Sequence, residues 1–284
     1  MVKLLFTGII NGAEVRQSKV WPNVAAPFCL LFARNTVPPA GAAFRYISPH
    51  LEGPLTDSGN WRIDPAQSET VTIDRLEGRP ELLKILFRGT SLDLEIFERL
   101  TAKKHPTFGE NWSGLHGGTA KQPKCAGKGY SNLIKGSRLN PSEDYLPGYS
   151  AEKMFDLPVL EHGSFKGVLL ESASYRRFRE LNKPRLENRR NLDLYKGPLL
   201  LVKKSPSAKD GRFRAAVSVR DLVFSETYYG YTTHKSESKV SLAEYLCLMI
   251  SSKIGLWLAL ITSGEFGVER EVVEKFVVQE VPLV

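Results

Sequence analysis

Arg176, Arg177, Arg179, Lys183, Arg185, Arg189 and Arg190 stand within fifteen residues, with Tyr175 and Phe178 among them. A guanidinium forks onto phosphate oxygens or onto a guanine edge, and a tyrosine stacks or hydrogen-bonds, so this mixture suits recognition of a nucleic-acid duplex. The same run also reads as a solvated helix face with Glu180 and Glu187 as local partners. A second group, Lys203, Lys204, Lys209, Arg212 and Arg214, surrounds a Ser-Pro-Ser-Ala-Lys-Asp-Gly turn. Alone it is an ordinary hairpin tip; beside the first group it can lie along phosphates.

These bases are concentrated. Fourteen of the 39 Lys and Arg residues fall in residues 166–214 against five acids, which makes that stretch +9. The rest of the chain, with 25 bases and 26 acids, is near neutrality, so the net charge of +8 belongs to one segment. A localised basic field attracts polyanions by releasing their condensed counterions, and nucleic acid is the first partner it implies.

Other chemistries find less support. Gly117-Gly118 and Gly127-Lys-Gly129 match no phosphate-loop spacing and are expected to give turns of positive φ. His50, His105, His116, His162 and His234 form no metal-ligand pair, and no nucleophile elbow or carboxylate pair is visible in the linear order. Cys29, Cys125 and Cys247 lie far apart and odd in number, which argues against a disulfide framework or zinc and for a reducing, cytoplasmic setting. The start carries no secretory cleavage pattern. Residues 242–262 have the length of a membrane span, but Glu244, Ser251, Ser252 and Lys253 interrupt them and the apolar positions repeat at three- and four-residue steps. A buried helix is expected there, and no membrane.

The elements that must position these residues change along the chain. Residues 2–10 and 28–34 are apolar runs bounded by Asn, Gly or Pro, expected as strands buried on both faces. Residues 48–60 read as linker. From Pro80 the pattern is helical, with Leu82, Leu83, Leu86 and Phe87 on one face, a break at Gly89, and Thr90 with Asp93 capping a second helix. Residues 108–150 show little periodicity and are expected as short strands and ordered loops. Residues 168–171, 199–203, 213–219 and 223–231 are strand candidates; a helix around Ala243 and a last strand over residues 275–283 close the chain.

The order of parts resembles the C-terminal half of N6-adenine DNA methyltransferases, the Taq-like group used in restriction-modification. The residues that carry it are Leu242-Ala-Glu-Tyr-Leu-Cys-Leu-Met-Ile-Ser-Ser-Lys-Ile-Gly-Leu-Trp, then Ser263-Gly-Glu-Phe-Gly-Val-Glu-Arg270, then Phe276-Val-Val-Gln-Glu-Val-Pro-Leu. They are similar to the family's helix with an Asn/Ser-Ser-Lys step, glycine turn with arginine, and closing strand ending in proline. Tyr195-Lys-Gly-Pro-Leu-Leu-Leu-Val-Lys203 resembles the strand entering the family's recognition domain, and residues 20–34 resemble the end of its catalytic sheet.

The resemblance implies an α/β (α+β) chain. Residues 1–50 would be a short remnant of a methyltransferase sheet, 51–107 a helical linker, and 108–284 a mixed α/β target-recognition domain binding double-stranded DNA. The family's catalytic tetrapeptide, Asn or Asp followed by Pro-Pro and an aromatic, is absent; Asn140-Pro-Ser-Glu and Asp64-Pro-Ala-Gln are the nearest strings. The glycine turn of Phe6-Thr-Gly-Ile-Ile-Asn-Gly12 has its second glycine misplaced for a cofactor loop. The chain by itself is therefore expected to be inactive, with no cofactor of its own. S-adenosylmethionine would belong to a missing catalytic half, on a separate subunit if the enzyme is split. Rival expectations are a free-standing specificity subunit, an RNA-binding or processing module stacking bases on Tyr228, Tyr229 and Tyr231, and an enzyme of unrecognised type with a site in residues 145–162.

Overall fold

The structure is a computed structural model that describes residues 4–16, 18–49, 57–64, 66, 68–77, 79, 81–102, 105–132, 148–160, 167–170, 175–206, 211–264, 266 and 272–283. It is an α+β fold in two compact units, residues 1–103 with 259–271, and residues 104–258 with 272–284.

In the first unit a four-stranded sheet runs in the order β2-β1-β3-β4, from β1 (Leu5–Asn11), β2 (Cys29–Arg34), β3 (Ala43–Ile47) and β4 (Glu69–Thr72). β1 is antiparallel to β2 and parallel to β3, and β4 closes the far side antiparallel to β3. The sheet is tied to the helical region by Tyr46, whose hydroxyl accepts from Asn11 Nδ2 at 2.9 Å and donates to the Leu83 carbonyl at 3.2 Å. The helices Glu81–Arg88 and Ser91–Ala102 stand where the sequence periodicity puts them. Thr90 and Asp93 bond reciprocally, the Asp93 carboxylate accepting from the Thr90 amide at 2.7 Å and the Thr90 hydroxyl from the Asp93 amide at 3.4 Å.

The expectation of two strands buried on both faces fails here, since β1 is no more than half-buried. β2 is exposed along its whole length, with Leu31 57% and Phe32 49% accessible. Its apolar run is not a doubly covered strand, because β2 is the outermost strand and, among the described residues, has β1 as its one sheet neighbour.

The second unit is built on a five-stranded sheet, β5-β13-β10-β11-β8. Its strands are β5 (Ala126–Lys128), β8 (Leu169–Leu170), β10 (Leu199–Lys203), β11 (Ala215–Ser218) and β13 (Tyr228–Thr232). Two small ladders pair β6 (Tyr149–Ser150) with β9 (Arg185–Leu186), and β7 (Val159–Leu160) with β12 (Val223–Phe224). β10 is central and buried on both faces, as its unbroken Leu-Leu-Leu-Val run requires. Leu199 and Leu201 join a core with Phe178, Leu186, Tyr195 and Phe224, and the helix Lys239–Ile250 packs against β10 and β11.

Four further expectations are corrected. Residues 108–116 are a helix, Phe108–His116, started by a capping box in which Thr107 Oγ1 accepts from the Glu110 amide and the Glu110 carboxylate from the Thr107 amide. The expected single helix over residues 242–262 is two, Lys239–Ile250 and Lys253–Thr262, bent by 61°. Ser252 Oγ accepts from the Gly255 amide at 3.2 Å and starts the second helix. A Cβ at Gly255 would lie 2.6 Å from the Ile250 carbonyl oxygen, so the close turn needs glycine. Among the described residues no single helix is long and apolar enough to cross a membrane, although this bent pair together passes that test. The closing strand is a helix over Lys275–Gln279, and only its end is extended, where the Leu283 amide donates to the Pro106 carbonyl and the Phe108 amide to that of Val281. Lastly, residues 175–191 contain no α-helix: the basic run is threaded through a 3-10 turn at Phe178–Leu181, the short β9 and extended connections.

Candidate functional site

Four arginines and a lysine of the basic segment donate to neutral oxygens. Arg177 Nη1 donates to the Asp156 carbonyl at 2.7 Å, Arg185 Nη2 to Gly148 at 2.6 Å and Arg189 Nη1 to Ser150 at 3.4 Å. Lys183 Nζ reaches Asn132 Oδ1 at 2.9 Å. Arg190, in a left-handed conformation with φ 64°, donates from Nε to the Gly129 carbonyl at 3.1 Å and from Nη2 to Ser131 Oγ at 3.3 Å. Arg179 is different, forming an exposed ion pair with Asp156. Arg176, Arg177, Arg179 and Arg212 are exposed, while Lys203, Lys204 and Arg214 are half-buried at the ends of the central strands. Lys209 lies outside the described residues.

The structure gathers another set of bases that the sequence leaves scattered. At the edge of the sheet formed by β5 a cleft of about 590 Å³ is lined by Lys124, Lys128, Arg190, Lys235 and Lys275, with His116, Asn191 and, among the described residues, the single carboxylate Asp193. Its floor is Cys125, Ala126, Gly127 and Leu194. The register of β5 against β13 pairs Gly127 with Gly230, and the Thr232 amide donates to the Cys125 carbonyl. By antiparallel alternation the main-chain polar groups of Ala126 and Lys128 then point outward from the sheet edge.

Each wall has a local cause. Asn191 Oδ1 accepts from the Asp193 amide and starts the 3-10 turn Leu192–Tyr195, which sets Asp193 and Leu194 at the cleft. Lys275 follows Val273, which is pinned by two bonds, its amide to the Lys204 carbonyl at 2.9 Å and its carbonyl from the Tyr229 hydroxyl at 3.0 Å. His116 ends the helix Phe108–His116, packs on Trp112 and shares a 3.1 Å bond with Ser236 Oγ, which fixes the turn carrying Lys235.

The electrostatics are one-sided. Burial pulls the Lys204 ammonium down to a pKa of about 8, aided by Lys128 and Arg190 and opposed by Glu226. Burial and then Lys128 lower that of Lys275. Burial, His234 and Lys235 lower that of His116. Asp193 is already engaged, 2.7 Å from Lys196 and 3.8 Å from Lys235. Among the described residues, Lys124, Lys128 and Lys275 have no ion-pair partner.

Of the twelve bases the sequence singles out, Arg190 alone among the described ones lines the cleft, with Lys204 coupled to it by charge. Lys124, Lys128, Lys235 and Lys275 escape a reading by runs because they come from four separate segments. The usable signal is Gly127-Lys-Gly129: its glycines are not turn formers, since Gly127 lies within β5 and neither has positive φ, whereas Gly117 and Gly118 do, at 81° and 96°. The tyrosine platform for RNA is also corrected. Tyr228, Tyr229 and Tyr231 are buried, with Tyr231 against Phe108 and Trp112, so they present no exposed stacking face. Among the described residues no group of His, Cys, Asp or Glu could hold a metal ion. Tyr145 and His162, which bound the rival enzyme site, lie outside the described residues. Comparison with protein-family models gave no match, and comparison with curated proteins gave none either.

Proposed function

We propose that the second unit binds duplex DNA, as the target-recognition portion of an adenine-N6 DNA methyltransferase of the Taq-like restriction-modification group. One observation carries this reading. Arg177, Lys183, Arg189 and Arg190 are held by carbonyl, amide and hydroxyl oxygens rather than carboxylates. Such bonds orient a charged head without cancelling its charge, so the +9 segment keeps a field that phosphates can neutralise. The Arg179–Asp156 pair is exposed and worth little against a phosphate competitor. On this reading S-adenosylmethionine and methyl transfer belong to a catalytic half outside these residues. The bare apolar edge of β2 supports a docking place for it, since an unpaired edge strand is a template for further pairing.

The test is titration of the full chain with random-sequence duplex DNA across a salt series, with single-stranded RNA as competitor. Affinity should fall steeply with salt, duplex should be preferred, and Arg177→Ala/Arg212→Ala should flatten the log–log slope by about two. Weak, salt-insensitive binding, or displacement of duplex by RNA, would overturn the reading.

A further inference from the structure

The outer arginines do not account for the cleft at the β5 edge. Its bases converge from the loop before β5, from β5 itself, from the turn after β13 and from the start of the last helix, around a half-open cleft of about 590 Å³. We propose that this cleft binds a small organic diphosphate of nucleoside size, with its phosphates among Lys124, Lys128, Lys275 and Arg190 and its organic part on the floor of Ala126, Gly127 and Leu194.

Size, charge and floor agree on this class. A volume of about 590 Å³ suits a ligand with an organic part beyond its phosphates, since ligand clefts run from roughly 300 to 1,000 Å³. The excess of cations fits more than one negative charge. The single lining carboxylate is occupied by Lys196 and Lys235, so it does not offset the remaining lysines. Gly127 brings no side chain to the floor, and its neighbour there is the Leu194 methyl, 3.6 Å from where a Cβ would stand. That leaves an apolar shelf on which a planar ring can lie against the strand. The outward main-chain groups of Ala126 and Lys128 add donors and acceptors at the shelf's margin. Burial is the main cause of the lowered Lys204 and Lys275 values, and repulsion from Lys128, joined at Lys204 by that from Arg190, adds to it. A bound diphosphate removes that repulsion.

The assignment does not rest on the DNA reading, and its test uses different ligands and different residues. The full chain would be titrated calorimetrically with ADP, inorganic pyrophosphate and adenosine. ADP should bind more tightly than either of the other two. Lys124→Ala/Lys128→Ala, two exposed positions, should weaken ADP at least tenfold, while Lys239→Ala/Lys253→Ala, an equal loss of exposed charge elsewhere, should leave it within twofold. At pH 8 the heat should depend on the buffer's ionisation enthalpy with the sign of proton uptake, because an arriving anion raises the lysine values. No ADP binding, equal losses in both double variants, or release of protons would overturn the proposal. Pyrophosphate binding as tightly as ADP would overturn the role of the floor.

Discussion

Lys204 shows how a single ammonium records its surroundings. Its Nζ lies 5.4 Å over the Tyr229 ring, a favourable contact, yet burial and the Lys128 charge outweigh it and hold its value near 8. The folded value lies below that of an unfolded lysine, about 10.4, so the folded state disfavours the charged form. That penalty is complete below pH 8 and fades as pH rises from 8 toward 10.4. Lys204→Met, which keeps the stem, should therefore raise the melting temperature at neutral pH, and the gain over wild type should shrink in melts run from pH 7 to pH 10. A gain that grows with pH would mean that the ammonium is stabilised in place. Lys204 was legible in the sequence as a base but not as a half-buried one beside the last segment, where the amide of Val273, some seventy positions away, donates to the Lys204 carbonyl.

At the scale of elements, local signals worked where the backbone decides locally. Thr90 with Asp93 caps its helix as expected, and the tetrapeptide Thr107-Phe-Gly-Glu110 has the same grammar, hidden in a stretch whose Gly and Asn content reads as loop. Thr107→Ala should cost about 1 kcal/mol, seen as a lower urea midpoint with unchanged slope, because the Glu110 amide loses its acceptor. The reverse error occurs at residues 275–283. Their Val-rich composition favours a strand, but Val277 and Val278 are buried and the segment packs on the helix Phe108–His116, so tertiary burial overrides propensity. The basic run reads as a helix face by its charges, yet Pro184 and the left-handed Asn182 and Arg190 break any helix through it.

For the whole molecule, the exposed edge of β2 is the surface on which association is expected. Leu30, Leu31 and Phe32 are exposed apolar residues on an edge strand, a template for a neighbouring chain. Leu31→Lys/Phe32→Lys should lower self-association in sedimentation velocity while shifting stability by less than about 0.5 kcal/mol, as surface changes do. Unchanged association would place the sticky surface elsewhere. The two units are also not consecutive in sequence, since residues 259–271 group with the first unit and 272–284 with the second. No linear pattern marks such a return, because compactness is a property of contacts rather than of neighbours.

The sequence by itself determined the basic segment, the α+β mixture, the first strands, the two helices after Pro80 and a strand over residues 199–203. Each follows from composition or from a period of two or 3.6 residues, which a chain displays in one dimension. Tertiary structure alone decided which bases meet. Lys124, Lys128, Arg190, Lys235 and Lys275 come together because β5 pairs with β13, Asn191 starts a 3-10 turn beside it and Val273 is tied to Lys204 and Tyr229. A cleft is defined by distances between remote segments, and only folding sets those distances.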